Sequence, residues 1–306
     1  MTDRLDAMSL FVAAVDAGSL SGAARARGLP LATVSRRVAE LETALGTQLM
    51  LRSARGLALT DAGATYLAAC RRILEEVAEA ERTASGEFTT PRGVLTLTAP
   101  IVFGRMHVLP VTVAFLKAFA DVEVRLEQTD RVVSLHEERI DAAIRIGRLP
   151  DSGLRARRVG AVRRVVCAAP DYLASRGTPQ RPEDLATHAC ITFANLMAAD
   201  RWRFGEGRAE RQVPIRSRLV VNTAEAAIEA AEAGLGITRV LSYQAAAAVA
   251  GGRLVVLMAQ DEPEPWPVHL VYPGGMVPQK LRAFIDFAAP RLEASLRTAT
   301  AGTAAA

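Results

Sequence analysis

The sequence predicts an α/β protein with a winged helix-turn-helix at its amino end and a two-lobed α/β domain behind it. Three observations predict this fold class. Residues 5–63 carry apolar residues at helical spacing, broken at glycines and followed by a short basic hairpin pattern. One long helical pattern then runs to about residue 84. From residue 94 onward, apolar strand patterns alternate with helix patterns, and their combined length favours two lobes.

The composition allows several folded domains in one chain. With 306 residues, 50% of them hydrophobic, two or three domains are expected. The formal net charge is +4, and lysine occurs only at Lys117 and Lys280, so nearly all the positive charge is arginine. Arginine suits bidentate contacts with phosphate and guanine. A coding bias toward arginine and alanine explains the same excess equally well.

Cysteine and histidine usage argues against metal and disulfide chemistry. Cys70, Cys167 and Cys190 are far apart, and the four histidines have no metal-ligand spacing. We therefore expect no cofactor and a reducing, cytoplasmic location. Residues 1–18 lack a charged leader before a long apolar core, and no run approaches the roughly 18 apolar residues of a membrane span. No membrane partner is expected.

Three short helices are predicted near the amino terminus. The first ends at Gly18. The second takes Ser21 as its N-cap and ends at Gly28. The third has Pro30 in its first turn, where the missing N–H costs nothing, and it ends at Gly46.

A wing and a long helix follow the third helix. Residues 49–59 predict two short strands around Ala54-Arg55-Gly56. Thr60 is a good N-cap for a helix to about Ala84. Part of this helix has a coiled-coil-like spacing that favours pairing with a second copy. The residues with that spacing are Leu67, Cys70, Leu74, Val77 and Glu81.

The predicted domain boundaries follow from these patterns. They are 1–60 for the winged motif, 61–85 for the dimerisation helix, 86–93 for a hinge and 94–296 for the α/β domain. Within that domain, lobe I spans about 94–162 and 268–296, and lobe II about 163–267. The closing helix is predicted at Gln279 to Leu292. The Ala/Thr-rich residues 297–306 are predicted to be disordered.

The residue pattern of the whole chain resembles the LysR-type transcriptional regulators. The amino-terminal positions that carry the resemblance are Ser19, Ala23-Ala24, Val34-Ser35-Arg36, Leu41-Glu42, Leu45-Gly46, Leu49, Arg52, Leu59-Thr60 and Ala62-Gly63. Further along, FLKAFADVEVRL, IDAAIRIG and PDYLASRGTPQRPEDLATHAC resemble the branch with CrgA-like effector domains. This combination is far more specific than an isolated helix-turn-helix.

The resemblance implies a fold and a function. It implies a winged helix-turn-helix, a dimerising linker helix and a two-lobed effector domain similar to type 2 periplasmic binding proteins. It also implies a sequence-specific transcriptional regulator that responds to a small molecule held between the lobes. The implied partners are double-stranded DNA, that effector, further copies of the chain in a dimer or tetramer, and RNA polymerase.

Several positions depart from the family pattern. Pro30-Leu31 stands where the family often has Ser-Gln, so we expect specificity to depend more on Thr33, Arg36 and the wing. Arg139 stands where the branch often has glycine, and GITRVLS lacks the family's proline. Without that proline, we expect the nearby effector loop to differ in geometry from that of the family.

The start of the third helix is the predicted DNA-reading surface, because the amino-terminal part of such a helix usually meets base edges in the major groove. The expected DNA-binding residues are Ser21, Ala32, Thr33, Ser35, Arg36, Arg37, Arg52 and Arg55. Arg36 contacts either guanine or phosphate in this hypothesis, and a solvated helix face is the alternative. Arg55 is expected on phosphate or in the minor groove, while Arg52 has a structural alternative. Ser21 is also a phosphate-contact candidate.

The effector site is expected at strand ends and helix starts that face the cleft between the lobes. The candidate lining residues are Pro100, Ile101, Val102, Phe103, Thr129, Asp130, Arg145, Ile146, Gly147, Asn222, Thr223, Gly236, Ile237 and Thr238. A buried arginine needs a partner. Arg145 in an apolar strand therefore indicates either an anionic effector or a structural salt bridge with Asp130 or Asp141.

Other classes of protein fit the sequence less well. No Walker or dinucleotide glycine pattern and no nucleophile elbow is present, so an enzyme is not expected. A solute-binding protein or ligand sensor without a DNA-binding role remains the alternative. The arginines at 155–164 could form a second nucleic-acid patch, but strand alternation favours a solvated or subunit-facing surface.

Overall fold

The computed structural model describes residues 2–53, 56–84, 90–194, 200–205, 210–275 and 277–304. The chain divides into two compact units, Met1–Thr89 and Thr90–Ala306. The first unit contains α1 (Thr2–Asp16), α2 (Leu20–Arg27), α3 (Leu31–Leu45), β1 (Met50–Ser53), β2 (Gly56–Leu59) and α4 (Asp61–Ala84). This is the helix order and two-stranded antiparallel wing that the sequence predicts.

The helix ends of the first unit follow local sequence signals with one exception. Gly28 and Gly46 end α2 and α3 in the left-handed conformation, with φ of 63° and 66°. The predicted N-cap Ser21 is wrong. Ser19 caps α2, because its Oγ accepts a hydrogen bond from the Gly22 N–H at 3.0 Å. Ser21 therefore lies in the first turn of α2.

The core of the first unit is apolar and contains the start of α4. Phe11 from α1 and Val34 from α3 are fully buried, and Cys70 from α4 is buried with them. Leu67 is also buried in this core. The first part of the row predicted for pairing with a second copy therefore packs inside its own unit. Tight packing explains Gly63, since a Cβ there would lie 1.9 Å from the Leu49 carbonyl oxygen.

The second unit is α/β. Its first half contains β3 (Gly93–Ala99), α5 (Ile101–Phe103), a π-helical turn (Gly104–Val108), α6 (Leu109–Ala118), β4 (Val122–Gln128), β5 (Ala142–Ile146) and β6 (Leu154–Val162). There follow β7 (Arg164–Ala168), α7 (Pro170–Arg176), β8 (Ala189–Phe193), β9 (Arg201–Phe204), β10 (Arg211–Pro214) and β11 (Arg216–Val221). The last elements are α8 (Ala224–Glu232), β12 (Ile237–Leu241), α9 (Ser242–Ala250), β13 (Val255–Leu257), β14 (Trp266–Pro273) and α10 (Gln279–Ala304).

Two five-stranded sheets define the two lobes. Their strand orders are β4-β3-β5-β14-β6 and β11-β8-β12-β7-β13. The chain crosses between the sheets where β6 leads into β7 and where β13 leads into β14. This arrangement confirms the predicted two-lobed α/β fold. The antiparallel β9–β10 hairpin was not predicted, because its strands are short and carry several exposed arginines.

Three sequence expectations differ from the structure of the second unit. Residues 297–304 continue α10 and are not disordered, since alanine-rich sequence favours helix. Asn222 followed by Glu225 at the capping-box position predicts a helix start at Asn222. This prediction is wrong by one residue, because Thr223 is the N-cap and its Oγ accepts from the Ala226 N–H at 3.3 Å. Residues 101–118 are long and apolar enough for a membrane span, and their buried face packs in the core of lobe I.

Arg139 occupies a position that favours glycine. Its φ is 55°, in the left-handed region that costs a side-chain-bearing residue about 1–2 kcal/mol. The departure noted in the sequence therefore places an arginine in a strained backbone conformation.

Candidate nucleic-acid interface and effector cleft

The third helix of the first unit, α3, separates a buried face from an exposed one. Val34, Val38 and Leu41 face the core. Ala32 and Arg36 lie on the opposite side, one helical turn apart, and both are exposed. The same row continues through Ala39 and Thr43, which are exposed and are not among the predicted DNA-binding residues. Thr33 and Ser35 flank this row and are half-buried.

The two adjacent arginines of α3 have different surroundings. Arg36 Nη1 lies 2.7 Å from Glu40 Oε1 on the helix surface, in a pair whose side chains are 64% and 52% exposed. Arg37 Nη1 lies 3.1 Å from Asp6 Oδ2, which joins α3 to α1. Arg36 is therefore available at the surface, while Arg37 contributes to packing between two helices.

The wing and the start of α2 complete the predicted DNA-binding set. In the wing ladder, Arg52 pairs with Leu57. The side chain of Arg52 and the whole of Arg55 lie outside the described residues. Ser21 is exposed, and its Oγ donates to Ser19 Oγ at 3.3 Å.

The carboxylate of Glu42 connects α3 to the wing. Its Oε1 accepts hydrogen bonds from the Leu49 N–H at 2.8 Å and the Met50 N–H at 3.1 Å. Both residues are buried, so these backbone groups depend on the carboxylate. In the sequence, Glu42 stands out only as part of the family pattern, since a contact across a turn leaves no periodic signal.

In lobe I, the carboxyl ends of β3 and β4 form one side of the expected cleft. Asp130 Oδ1 accepts a hydrogen bond from the Ile101 N–H at 3.1 Å. Burial raises the pKa of Asp130, against the lowering effect of that hydrogen bond. Thr129 lies beside it, with its N–H donating to the Ala99 carbonyl at 2.9 Å. Pro100 precedes Ile101 as the residue before α5.

Lobe II meets this edge through the starts of α8 and α9. Glu225, in the first turn of α8, lies 3.6 Å from Arg105 of lobe I. Tyr243 of α9 packs edge-on to Phe103, with ring centroids 5.4 Å apart. Burial and the nearby charge of Asp130 raise the pKa of Tyr243. Asn222 and Thr223 stand at the start of α8, so the structure brings them towards the predicted residues of lobe I.

Several predicted lining residues have packing roles. Val102, Phe103, Ile237 and Thr238 are buried in the domain core. Gly236 is required by packing, because a Cβ there would lie 2.2 Å from the Ala189 carbonyl oxygen.

Arg145 makes a hydrogen bond inside lobe I. Its Nη2 donates to the Val133 carbonyl oxygen at 2.6 Å. Burial lowers the pKa of Arg145, and the charge of Glu138 opposes this effect. The neighbouring Ile146 belongs to β5, and the Gly147 N–H donates to the Pro267 carbonyl at 2.9 Å. The geometry favours the structural role for Arg145, with a carbonyl as its direct partner.

A more deeply buried arginine lies in lobe II. It occupies an apolar strand pattern like that of Arg145, but it is not among the predicted site residues. Arg239 is 1% exposed, and its guanidinium lies 4.8 Å from the Phe204 ring centroid. Burial lowers the pKa of Arg239 to about 9, and the like charge of Arg164 adds to this effect. The carboxylate of Glu262 opposes it, while lying 3.6 Å from Arg163 Nε. The ion pair of Arg163 with Glu262 joins the two segments that cross between the lobes.

One arginine of β6 is paired with carboxylates of α10. Arg157 lies 3.7 Å from Glu293 and 4.0 Å from Asp286, so α10 offsets its charge. The expectation of a solvated or subunit-facing surface for the arginines at 155–164 stays a prediction. Within the described ranges, no group of His, Cys, Asp and Glu has metal-binding geometry.

A winged helix-turn-helix joined to a two-lobed α/β domain defines a DNA-binding regulator that carries a small-molecule domain. Residues 5–64 match the bacterial regulatory helix-turn-helix protein model of the lysR family. Residues 89–293 match the LysR substrate binding domain. The chain belongs to the LysR family, and it is a DNA-binding transcriptional regulator and not an enzyme.

Similar proteins support the same assignment. The chain is 34% identical over 290 residues to the probable HTH-type transcriptional regulator LtrA of Klebsiella pneumoniae, covering 92% of each. It is 33% identical over 292 residues to the transcriptional regulator CrgA of Neisseria meningitidis serogroup B, covering 94% of this chain and 96% of CrgA. The CrgA structure matches 94% of this chain and 98% of its own, with 31% identity and a TM-score of 0.59. A full-length AphB variant covers 93% and 98%, with 28% identity and a TM-score of 0.61.

Proposed function

We propose that this regulator contacts the base edges of operator DNA with the exposed row of α3 and binds the DNA backbone with its wing. The observation that carries the proposal is the surface position of Ala32 and Arg36 on the face opposite the core. A helix of this kind fits the major groove, and a guanidinium bonds guanine or phosphate. Thr33, Ser35 and Ser21 are proposed as further contacts to the DNA, and Arg52 and Arg55 of the wing as contacts to its backbone.

Salt-dependent binding tests the role of Arg36. We expect Arg36→Ala to weaken operator binding and to lower the salt slope by about one if the contact is to phosphate. Arg155→Ala is the matched control, because it removes the same charge from an exposed site in the second unit. Thermal unfolding should change little in either variant. Equal operator affinity of Arg36→Ala and wild type at fixed salt would reject this assignment.

Residues 61–85 are proposed as the dimerisation helix between a DNA-binding unit, residues 1–60, and an effector domain, residues 94–296. Dimers, paired into tetramers, would place two winged motifs on half-sites about one helical turn of DNA apart. RNA polymerase is the proposed partner at the promoter, and the cytoplasm the proposed location. Analytical ultracentrifugation of the full chain measures the oligomeric state, and a monomer at micromolar concentration would contradict the proposal.

The effector is proposed to bind where the lobes meet, near Ile101, Asp130 and Thr223. The effector can shift the equilibrium between two arrangements of the lobes only by the difference between its affinities for them. An anionic effector would use backbone N–H groups at the start of α8, because Arg145 is bonded to the Val133 carbonyl. Isothermal titration with small carboxylates should give equal affinities for wild type and Arg145→Met. A tenfold loss of affinity in Arg145→Met would show that Arg145 contacts the effector.

A further inference from the structure

The DNA-binding unit exposes large apolar side chains at few places in its described residues. They are Leu29, Leu31 and Leu51, which are 37%, 50% and 49% exposed. Two of the three flank Pro30, at the start of α3. Leu51 lies on wing strand β1. Leu29 and Leu31 thus form an apolar pair at the amino end of the helix that is proposed to enter the major groove. Contact with an apolar group of the DNA would remove their surface from water.

Both leucines are held by rigid backbone. The Leu29 N–H donates to the Ala24 carbonyl at 3.0 Å, and the Pro30 carbonyl accepts from the Thr33 N–H at 3.0 Å. Leu31 is the first residue of α3, and helical side chains lean towards the amino end of their helix. Little backbone entropy is therefore lost when the pair is covered.

Basic side chains lie on both helices that flank the pair. Arg25 lies in the last turn of α2, and Arg36 lies on the exposed row of α3. Exposed apolar and cationic side chains on the same motif complement the major groove, where phosphates line the edges and the thymine C5 methyl is the apolar group on the floor.

We propose that Leu31, supported by Leu29, reads the C5 methyl group of thymine in the operator. The proposal rests on the proposed DNA-binding role of α3 and names the base it selects. Leu31 acts through van der Waals contact and burial of apolar surface. It is a specificity determinant that forms no hydrogen bond to the base.

Thymine-to-deoxyuridine substitution tests this inference, because it removes only the methyl group. The probe is a double-stranded oligonucleotide selected from random sequence by the full-length protein, with each thymine replaced in turn. We expect one replacement to weaken wild-type binding about fourfold, the equivalent of ~0.8 kcal/mol for one buried carbon. The same replacement should leave the DNA affinity of Leu31→Ala nearly unchanged. Leu51→Ala should keep the fourfold effect, since a wing is expected on the backbone or in the minor groove, where this methyl is not displayed.

A second variant and a second measurement keep the test decisive. Leu31→Gln should select adenine at the position where the wild type needs the methyl, because glutamine bonds adenine N6 and N7. If no deoxyuridine replacement changes the affinity of the wild type and specific binding persists, the inference about Leu31 is overturned while the proposed function stands. Failure to select any DNA would overturn the proposed function with it. Dissociation of the oligomer in Leu31→Ala, with an unchanged methyl effect, would assign the leucines to an interface between copies.

Discussion

Replacing Glu42 by alanine should unfold the DNA-binding unit at a lower temperature while leaving the effector domain intact. The carboxylate accepts hydrogen bonds from two buried backbone N–H groups, those of Leu49 and Met50. A hydrogen bond to a charged group contributes ~1.5–3 kcal/mol. We take the lower value for each because the pair is only partly buried, which gives a loss of ~3 kcal/mol. For a unit of this size, each kcal/mol shifts Tm by about 4–8 °C.

The two units can be followed separately in the intact chain. Both tryptophans, Trp202 and Trp266, lie in the second unit, so tryptophan fluorescence follows that unit while far-UV circular dichroism follows both. We expect Glu42→Ala to move part of the circular dichroism transition down by about 12–24 °C and to leave the fluorescence transition in place. Operator affinity should also fall, because the wing loses its link to α3.

Glu40→Ala is the matched control for this experiment. Glu40 lies two residues earlier on the same helix and pairs with Arg36 at the surface. Exposed pairs of this kind contribute ~0–1 kcal/mol, so its Tm should stay within a few degrees of wild type. If Glu42→Ala and Glu40→Ala shift Tm equally, the carboxylate does not hold the wing and the reasoning fails.

Three further changes test the packing and titration of the structure. Gly63→Ala should destabilise the first unit by ~1–3 kcal/mol, because its methyl group would overlap the Leu49 carbonyl; a circular dichroism Tm equal to wild type would contradict this. Arg139→Gly should stabilise the second unit by ~0.5–1 kcal/mol, since it relieves a left-handed φ at a smaller entropic cost, and a lower fluorescence Tm would argue against it. Burial lowers the pKa of His107, whose Nδ1 lies 2.8 Å from Ser295 Oγ, so the folded state holds it neutral and loses stability as pH falls below about 6.5. Between pH 7.5 and 5.5, wild type should therefore lose more Tm than His107→Gln, and equal losses would exclude this histidine as the cause.

The sequence determined the elements whose signals are local. Left-handed glycines end α2 and α3, Pro30 opens α3, and apolar residues at helical spacing identify the buried side of that helix. These signals act within one or two helical turns, so neighbouring residues alone contain them. The alternation of strand and helix patterns likewise predicted an α/β domain before its sheet order was known.

The polar group that each charged side chain meets follows from the tertiary structure. It assigns Arg37 to Asp6 and Arg145 to the Val133 carbonyl, and it joins Glu42 to the wing. It also leaves Leu31 exposed where helical spacing alone places it near the edge of the buried face. The physical reason is the same in each case. A buried or half-buried group takes its partner from whatever element the fold brings beside it, and that element is remote in sequence or across a turn that carries no periodic pattern.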